Sequence, residues 1–261
     1  MQWSDLGAQF CLQLAAGTLV ALAFVPRAPV GDFFYRLMGT TAALPVLVAG
    51  LIPVLADGRD PLAPELLATW LGLLAYPFYA GKTRGRAWGL ALAFGLGAAL
   101  VALGMTLGRM LDVDDLPGLL LLTASALATG AVAGSVGLAM VLGHWYLTVP
   151  KLKVSYLGRL NRVTIGSMAA SLVLVALTCL VFQGELAAAS TPLFGPRGLF
   201  NIGTRLVVGL VLPLVFAWMT GESVRLGNTR SATGILYAST VLVLIGTALS
   251  LNLQDLYGLP L

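Results

Sequence analysis

From Leu6 to Val25 the chain reads LGAQFCLQLAAGTLVALAFV, an uninterrupted run with no formal charge. A helix needs roughly 20 predominantly apolar residues to cross the hydrocarbon core of a bilayer. Seven more such runs follow, so the sequence predicts eight spans: 6–25, 33–56, 62–81, 88–108, 117–149, 163–183, 203–221 and 231–253. The runs are continuous, whereas a membrane β-strand alternates apolar and polar residues over about ten positions. Charge is scarce as well. Only 10% of the 261 residues are Asp, Glu, Lys or Arg, and the mean hydropathy is +0.92. A soluble globular domain carries about 25% charged residues, so this chain cannot wet a soluble surface. The expected fold is all-α: a polytopic transmembrane helical bundle forming one integral membrane domain, with no soluble domain. The first run has no basic residues ahead of it, so it reads as a retained span, not a cleaved leader.

The charges give an independent reading. With the start of the chain placed outside, one set of loops holds Arg27, Arg36, Lys82, Arg84, Arg86, Lys151, Lys153, Arg159, Arg162, Arg225 and Arg230. The other side keeps only Arg59, Arg109, Arg197 and Arg205. Basic residues concentrate on the cytoplasmic side of membrane proteins. The pattern therefore predicts eight spans with both termini on the outer, non-cytoplasmic side. The acids separate the opposite way: Asp5, Asp57, Asp60, Glu65, Asp112, Asp114, Asp115, Glu185 and Asp255 fall outside, and Asp32 and Glu222 inside. Phe33, Phe34, Tyr35, Tyr79, Trp88, Trp145, Tyr146 and Trp218 fall near cytoplasmic span ends, as an interfacial aromatic belt does. The implied location is a cell membrane of the bacterial inner-membrane kind. The net charge of +4 then reports topology, and nucleic acid is not an expected partner because no basic patch on a readable binding motif accompanies it.

The only histidine, His144, lies in VLGHWYLTVPKLK, residues 141–153. Gly130, Gly134 and Gly137 precede it, and Gly130 and Gly134 form a GxxxG of the kind that lets membrane helices approach closely. His144 follows Gly137 by seven residues, almost two helical turns, which predicts an imidazole on the glycine face, turned into the bundle. Ionisable groups within spans are costly and read as functional. At the same cytoplasmic depth the topology collects Tyr146, Arg36, Glu222, Arg230 and the tyrosines 35, 76 and 79. A quinone carbonyl needs hydrogen-bond donors in an otherwise apolar slot, so His144, Tyr146, Arg36 and Glu222 are the candidate quinone or amphipathic-ligand residues. The alternatives for His144 are a structural hydrogen bond to a backbone carbonyl and, less favoured, a single axial haem ligand. Two bis-histidine haems would need four imidazoles and are disfavoured; methionine could replace some ligands, but no paired arrangement is visible.

Three further residues are candidate anion ligands. Arg205 opens the seventh span and is read as an anion site, a partner for Glu185 or a side chain snorkelling to headgroups. Arg230 and Ser231 stand in GNTRSATG ahead of the eighth span, where Ser231 or Thr229 would cap the helix and its positive end would hold a lipid phosphate. The 112–115 acidic run is read as solvated charge, with calcium as the alternative. Cys11 and Cys179 lie in different runs without metal or disulfide spacing. There is no HExxH, P-loop or nucleophile-elbow motif, so no self-sufficient catalytic motif and no resident metal is expected.

These residues support a membrane subunit of a respiratory-type electron-transfer assembly, offering a quinone site near the cytoplasmic side. The partners would be membrane lipids and other redox subunits. In architecture, the layout resembles the haem-free, eight-span, quinone-interacting anchors of the polysulfide-reductase type, a resemblance that carries over no residue roles. The alternatives are a transporter or channel for a small neutral or amphipathic solute, and a scaffold subunit without its own activity.

Overall fold

The computed structural model describes residues 2–25, 30–83, 85–111, 116–149, 152–189 and 191–261. Arg27, Arg84, Lys151 and the acidic run 112–115 lie outside the described residues. Among the described residues the chain is all helical, with no strand: α1 (Trp3–Ala23), α2 (Asp32–Asp57), α3 (Pro64–Leu74), α4 (Tyr76–Tyr79), α5 (Arg86–Leu111), α6 (Leu116–Thr148), α7 (Ser155–Val181), α8 (Gln183–Ala188), α9 (Pro196–Leu206), α10 (Leu212–Arg225) and α11 (Thr229–Tyr257). A π-helical turn, Val207–Val211, joins α9 to α10. Counting that joined helix as one, seven helices among the described residues are long and apolar enough to cross a membrane.

The difference from the expected spans is local. The run 62–81 is not one helix: it breaks at Ala75 into α3 and the single turn α4, neither long enough alone. Pro77 has no N–H to give the carbonyl four residues back, and its ring crowds that carbonyl. The chain nevertheless travels the length of the bundle. Glu65, at the start of α3, lies 3.5 Å from Arg109 at the end of α5. At the far end, the Tyr79 carbonyl accepts the Trp88 indole N–H at 3.0 Å. Two other helices extend beyond their apolar runs. The sixth begins at Ser155, not at 163, and so carries Arg159 and Arg162 as helical residues. The seventh begins at Pro196 and includes Arg197 and Arg205. Charge ends an apolar run without ending a helix.

The π turn has a sequence cause. Pro213 cannot donate to Gly209, and the Leu212 N–H instead reaches the Val207 carbonyl. Gly209 in this turn and Gly246 of α11 touch backbone to backbone, so a Cβ on either would collide with the other's main chain.

α6 is the central helix, packed most extensively on α1, α7 and α11. Its GxxxG meets α1. Gly130 and Gly134 pack on the backbone of Gln13, Gly17 and Thr18, leaving no room for a side chain. Lipid supplies no hydrophobic drive between helices, so this close packing is what holds such a seam.

The two ends of the bundle differ. At one end, Asp5 pairs with Arg59 at 3.0 Å and with Arg109. Arg59 also reaches Asp57 and Glu65 at 3.3 and 3.7 Å, and Ser4 donates to Asp57 at 2.5 Å. These contacts tie together the start of α1, the end of α2, the start of α3 and the end of α5. The other end is basic and aromatic. The Tyr35 hydroxyl donates to the Val25 carbonyl at 2.6 Å. Trp145 stacks on Phe33 with centroids 5.6 Å apart and meets Phe34 edge-on at 5.7 Å. Several aromatics expected in the interfacial belt thus pack on one another, and Phe34, Tyr35 and Tyr79 are fully buried.

Candidate functional site

Near the basic end, α6 and α11 converge because Gly143 lies against Thr233: a Cβ there would sit 2.8 Å from the Thr233 hydroxyl oxygen. The residues that flank this contact open a cleft of about 590 Å³. Tyr146 and Leu147 line it from α6, and Thr229, Arg230, Thr233, Gly234 and Tyr237 from α11. The Tyr237 hydroxyl lies 3.4 Å from His144 Nδ1, at the long end of hydrogen-bonding distance. The volume lies within the range of small-molecule sites, about 300–1,000 Å³.

His144 does not turn into the bundle. It is exposed, does not line the cleft and meets it through the Tyr237 hydroxyl. The reason is the helical repeat. Seven residues fall about 20° short of two full turns, so a face followed in sevens drifts around the helix. The drift shows at Gly137, where nothing lies within 4 Å of a Cβ position. By His144 the glycine face has left the packing seam. Tyr146 is half-buried, and its hydroxyl donates to the Lys153 carbonyl, tethering the connection between α6 and α7.

The remaining candidates divide. Arg230 joins the His144 cleft. Arg36 lines a separate cleft of about 350 Å³ with Asp32, Tyr76, Pro77 and Lys82. Glu222 pairs with Arg225 at 2.8 and 3.1 Å, one turn along α10, and lines neither cleft. Ser231 is not the helix cap. Asn228 is the capping residue, and its Oδ1 accepts the Ser231 N–H at 3.0 Å. Asn belongs with Asp and Ser among the best capping residues, and the first turn begins one residue earlier than a Thr229 cap requires. The structure therefore unites His144, Tyr146 and Arg230, adds Tyr237 and Thr233, and separates Arg36 and Glu222 from them. Tyr237 and Thr233 were legible as polar residues in an apolar run, but not as neighbours of His144.

Arg205 is placed quite differently. It is 1% exposed, deep among α6, α7, α9 and α11. Its Nη2 donates to the Thr129 hydroxyl at 3.0 Å and to the Ser171 hydroxyl at 3.5 Å, and its Nε reaches the main-chain oxygen of Leu261 at 3.5 Å. Ser250 also donates to the Leu261 oxygen, and Ser125 donates to the Pro260 carbonyl at 2.7 Å. Arg205 therefore neither snorkels nor pairs with Glu185. Among the described residues no carboxylate side chain stands within ion-pair distance of it. Hydroxyl and main-chain oxygens thus accept from the guanidinium where no Asp or Glu side chain does, and burying a charge is expensive unless such polar partners surround it. Nearby, Gln9 of α1 and Gln254 of α11 exchange two amide hydrogen bonds at 2.6 and 2.5 Å.

Among the described residues no group of three His, Cys, Asp or Glu side chains is placed to hold a metal ion. Cys11 and Cys179 are free thiols. No protein-family profile, curated protein or solved structure matches the chain.

Proposed function

We propose that this chain is an integral membrane subunit of an electron-transfer assembly, and that the cleft between α6 and α11 takes a quinone headgroup from the bilayer. The topology in this reading has eight crossings, with α3 and α4 together forming the broken third. The start of α1 and the end of α11 then lie on the outer face, and the basic end is cytoplasmic. Two features support that count: the span from Glu65 beside Arg109 to Tyr79 beside Trp88, and the separation of acidic from basic charge between the ends.

The observation that carries the ligand reading is the meeting of Tyr146, Arg230 and Tyr237 at one cleft, with His144 beside the Tyr237 hydroxyl. A quinone presents two carbonyl acceptors on a flat apolar ring. The Tyr237 phenol, the His144 imidazole and the Arg230 guanidinium are donors of the kind those carbonyls need. Leu147 and the Tyr146 ring offer apolar surface for the quinone ring, and the isoprenoid tail stays in lipid. The chain has one histidine and two separated cysteines, so in this reading partner subunits supply the redox centres.

The test is quinone binding to the purified protein in nanodiscs. Tyr237→Phe and His144→Ala are each expected to weaken binding about tenfold, the loss of one hydrogen bond worth about 1.4 kcal/mol. Wild-type protein that binds no quinone, or variants that bind it undiminished, would refute the assignment.

One observation favours a second reading, a carrier for a small amphipathic or anionic solute: among the described residues Arg205 is buried without an Asp or Glu partner, beside a π turn, and π turns recur at functional sites. Uptake of organic anions into proteoliposomes, abolished by Arg205→Gln, would support the carrier over the anchor.

A further inference from the structure

A second cavity lies away from the quinone cleft, on the lateral face of the bundle where α1, α6 and α7 meet. We infer that this groove is a binding site for an anionic phospholipid, with an acyl chain along its apolar wall and the phosphate against Arg159 and Arg162. The groove encloses about 660 Å³. Val20 of α1 and Phe24, which caps its end, form one side, and Leu127 and Ala131 of α6 the floor. On the α7 side, Gly166 and Ala170 leave the space open, and nothing lies within 4 Å of a Cβ position at Gly166.

The charged groups of this groove are concentrated at one end, with Ser167 the one uncharged polar side chain of the lining. Arg159 and Arg162 line it three residues apart on α7, and residues three apart share a helix face. Both are exposed, and neither has an ion-pair partner among the described residues. They sit in the first turns of α7, at the basic end of the bundle, and the groove continues to Leu174. At 1.5 Å per residue that is about 22 Å along the helix, more than the roughly 15 Å of one leaflet's hydrocarbon. Two cations at headgroup level above an apolar channel as deep as an acyl chain complement an anionic lipid from head to tail. Basic pockets between membrane helices on the cytoplasmic side hold acidic headgroups in this way.

Charge separates this occupant from the others. A quinone is neutral and would leave both guanidiniums unpaired. A second copy of the chain would have to bring acids to this depth. At the basic end only Asp32 and Glu222 are acidic; Glu222 is held by Arg225, and Asp32 lines the Arg36 cleft. The site is independent of the quinone reading and shares no residue with that cleft.

The experiment is native mass spectrometry of the full chain released from nanodiscs of equal phosphatidylglycerol and phosphatidylcholine. Wild-type protein is expected to retain phosphatidylglycerol with a preference of about 30-fold, from two basic contacts near the surface. The double variant Arg159→Gln, Arg162→Gln is expected to lose that preference while still retaining lipid. Gly166→Leu fills the open groove without a clash and is expected to reduce retention of both lipids. Equal retention by wild type, or an undiminished preference in the double variant, overturns the site. So does a lipid-independent dimer that Gly166→Leu breaks, which would assign the groove to a second copy.

Discussion

The acidic end of the bundle is tied shut, and the basic end is open. At the acidic end Asp5, Asp57, Arg59, Glu65 and Arg109 form one network, in which Asp5, Glu65 and Arg59 are largely covered. Four helix ends meet there and the charges consume one another. At the basic end Arg159, Arg162 and Arg230 line two cavities, and the ion pair of Glu222 with Arg225 is exposed. Satisfied charge fixes a structure. Unsatisfied charge beside a cavity recruits a ligand. The contrast separates a clamp from the proposed binding face without recourse to motifs.

The largest expected effect comes from breaking the clamp. Asp5→Ala leaves Arg59 and Arg109 with Glu65 as the one carboxylate they still share, and removing one member of a buried ion pair costs about 3–5 kcal/mol. Thermal unfolding in detergent or nanodiscs should show a large loss, with Arg59→Gln as a milder version of the same break. Next comes the α1–α6 seam that joins both halves. Gly134→Ala places a methyl group into the Gly17–Thr18 backbone and is expected to cost about 1–3 kcal/mol through overpacking, read by the same unfolding measurement. At the open end, Arg230→Gln should change stability by no more than about 0.5 kcal/mol, as for an ordinary surface site, while weakening quinone binding severalfold in titration. Glu222→Gln is the smallest change. It removes an exposed pair, typically worth about 0–1 kcal/mol, and should leave quinone affinity as it was. An Arg230 variant that unfolds like Asp5→Ala, or an Asp5 variant as stable as wild type, would erase the distinction between the ends.

The helices were legible because lipid demands long apolar runs and the chain supplies them. Their ends were not, because hydropathy marks where apolar side chains stop and not where the backbone stops hydrogen-bonding; the early start of α7 at Ser155 is the clearest instance. Pro77 was visible, but its effect depends on whether neighbours restore the lost bond. In the sequence, Arg59, Arg109 and Arg205 read as exceptions to a charge bias. Arg59 and Arg109 are instead the partners of Asp5 and Glu65, and Arg205 is a buried hub. Each of those contacts joins residues far apart in the chain, which periodicity cannot reveal. The sequence puts His144 on a buried face and the structure on an exposed one, since a sevenfold count accumulates angular error. The groove at Arg159 and Arg162 was unreadable for a related reason: it needs three helices to exist.

The central claim is that the clamp and the open end face opposite sides of one membrane, with α3 and α4 crossing between them. Single cysteines at Asp60 and Lys82, in a background with Cys11 and Cys179 replaced by alanine, test it with an impermeant thiol reagent on sealed vesicles. The account predicts that Cys at 60 reacts from the outer face alone and Cys at 82 from the cytoplasmic face alone. Reaction of both from the same face would contradict it.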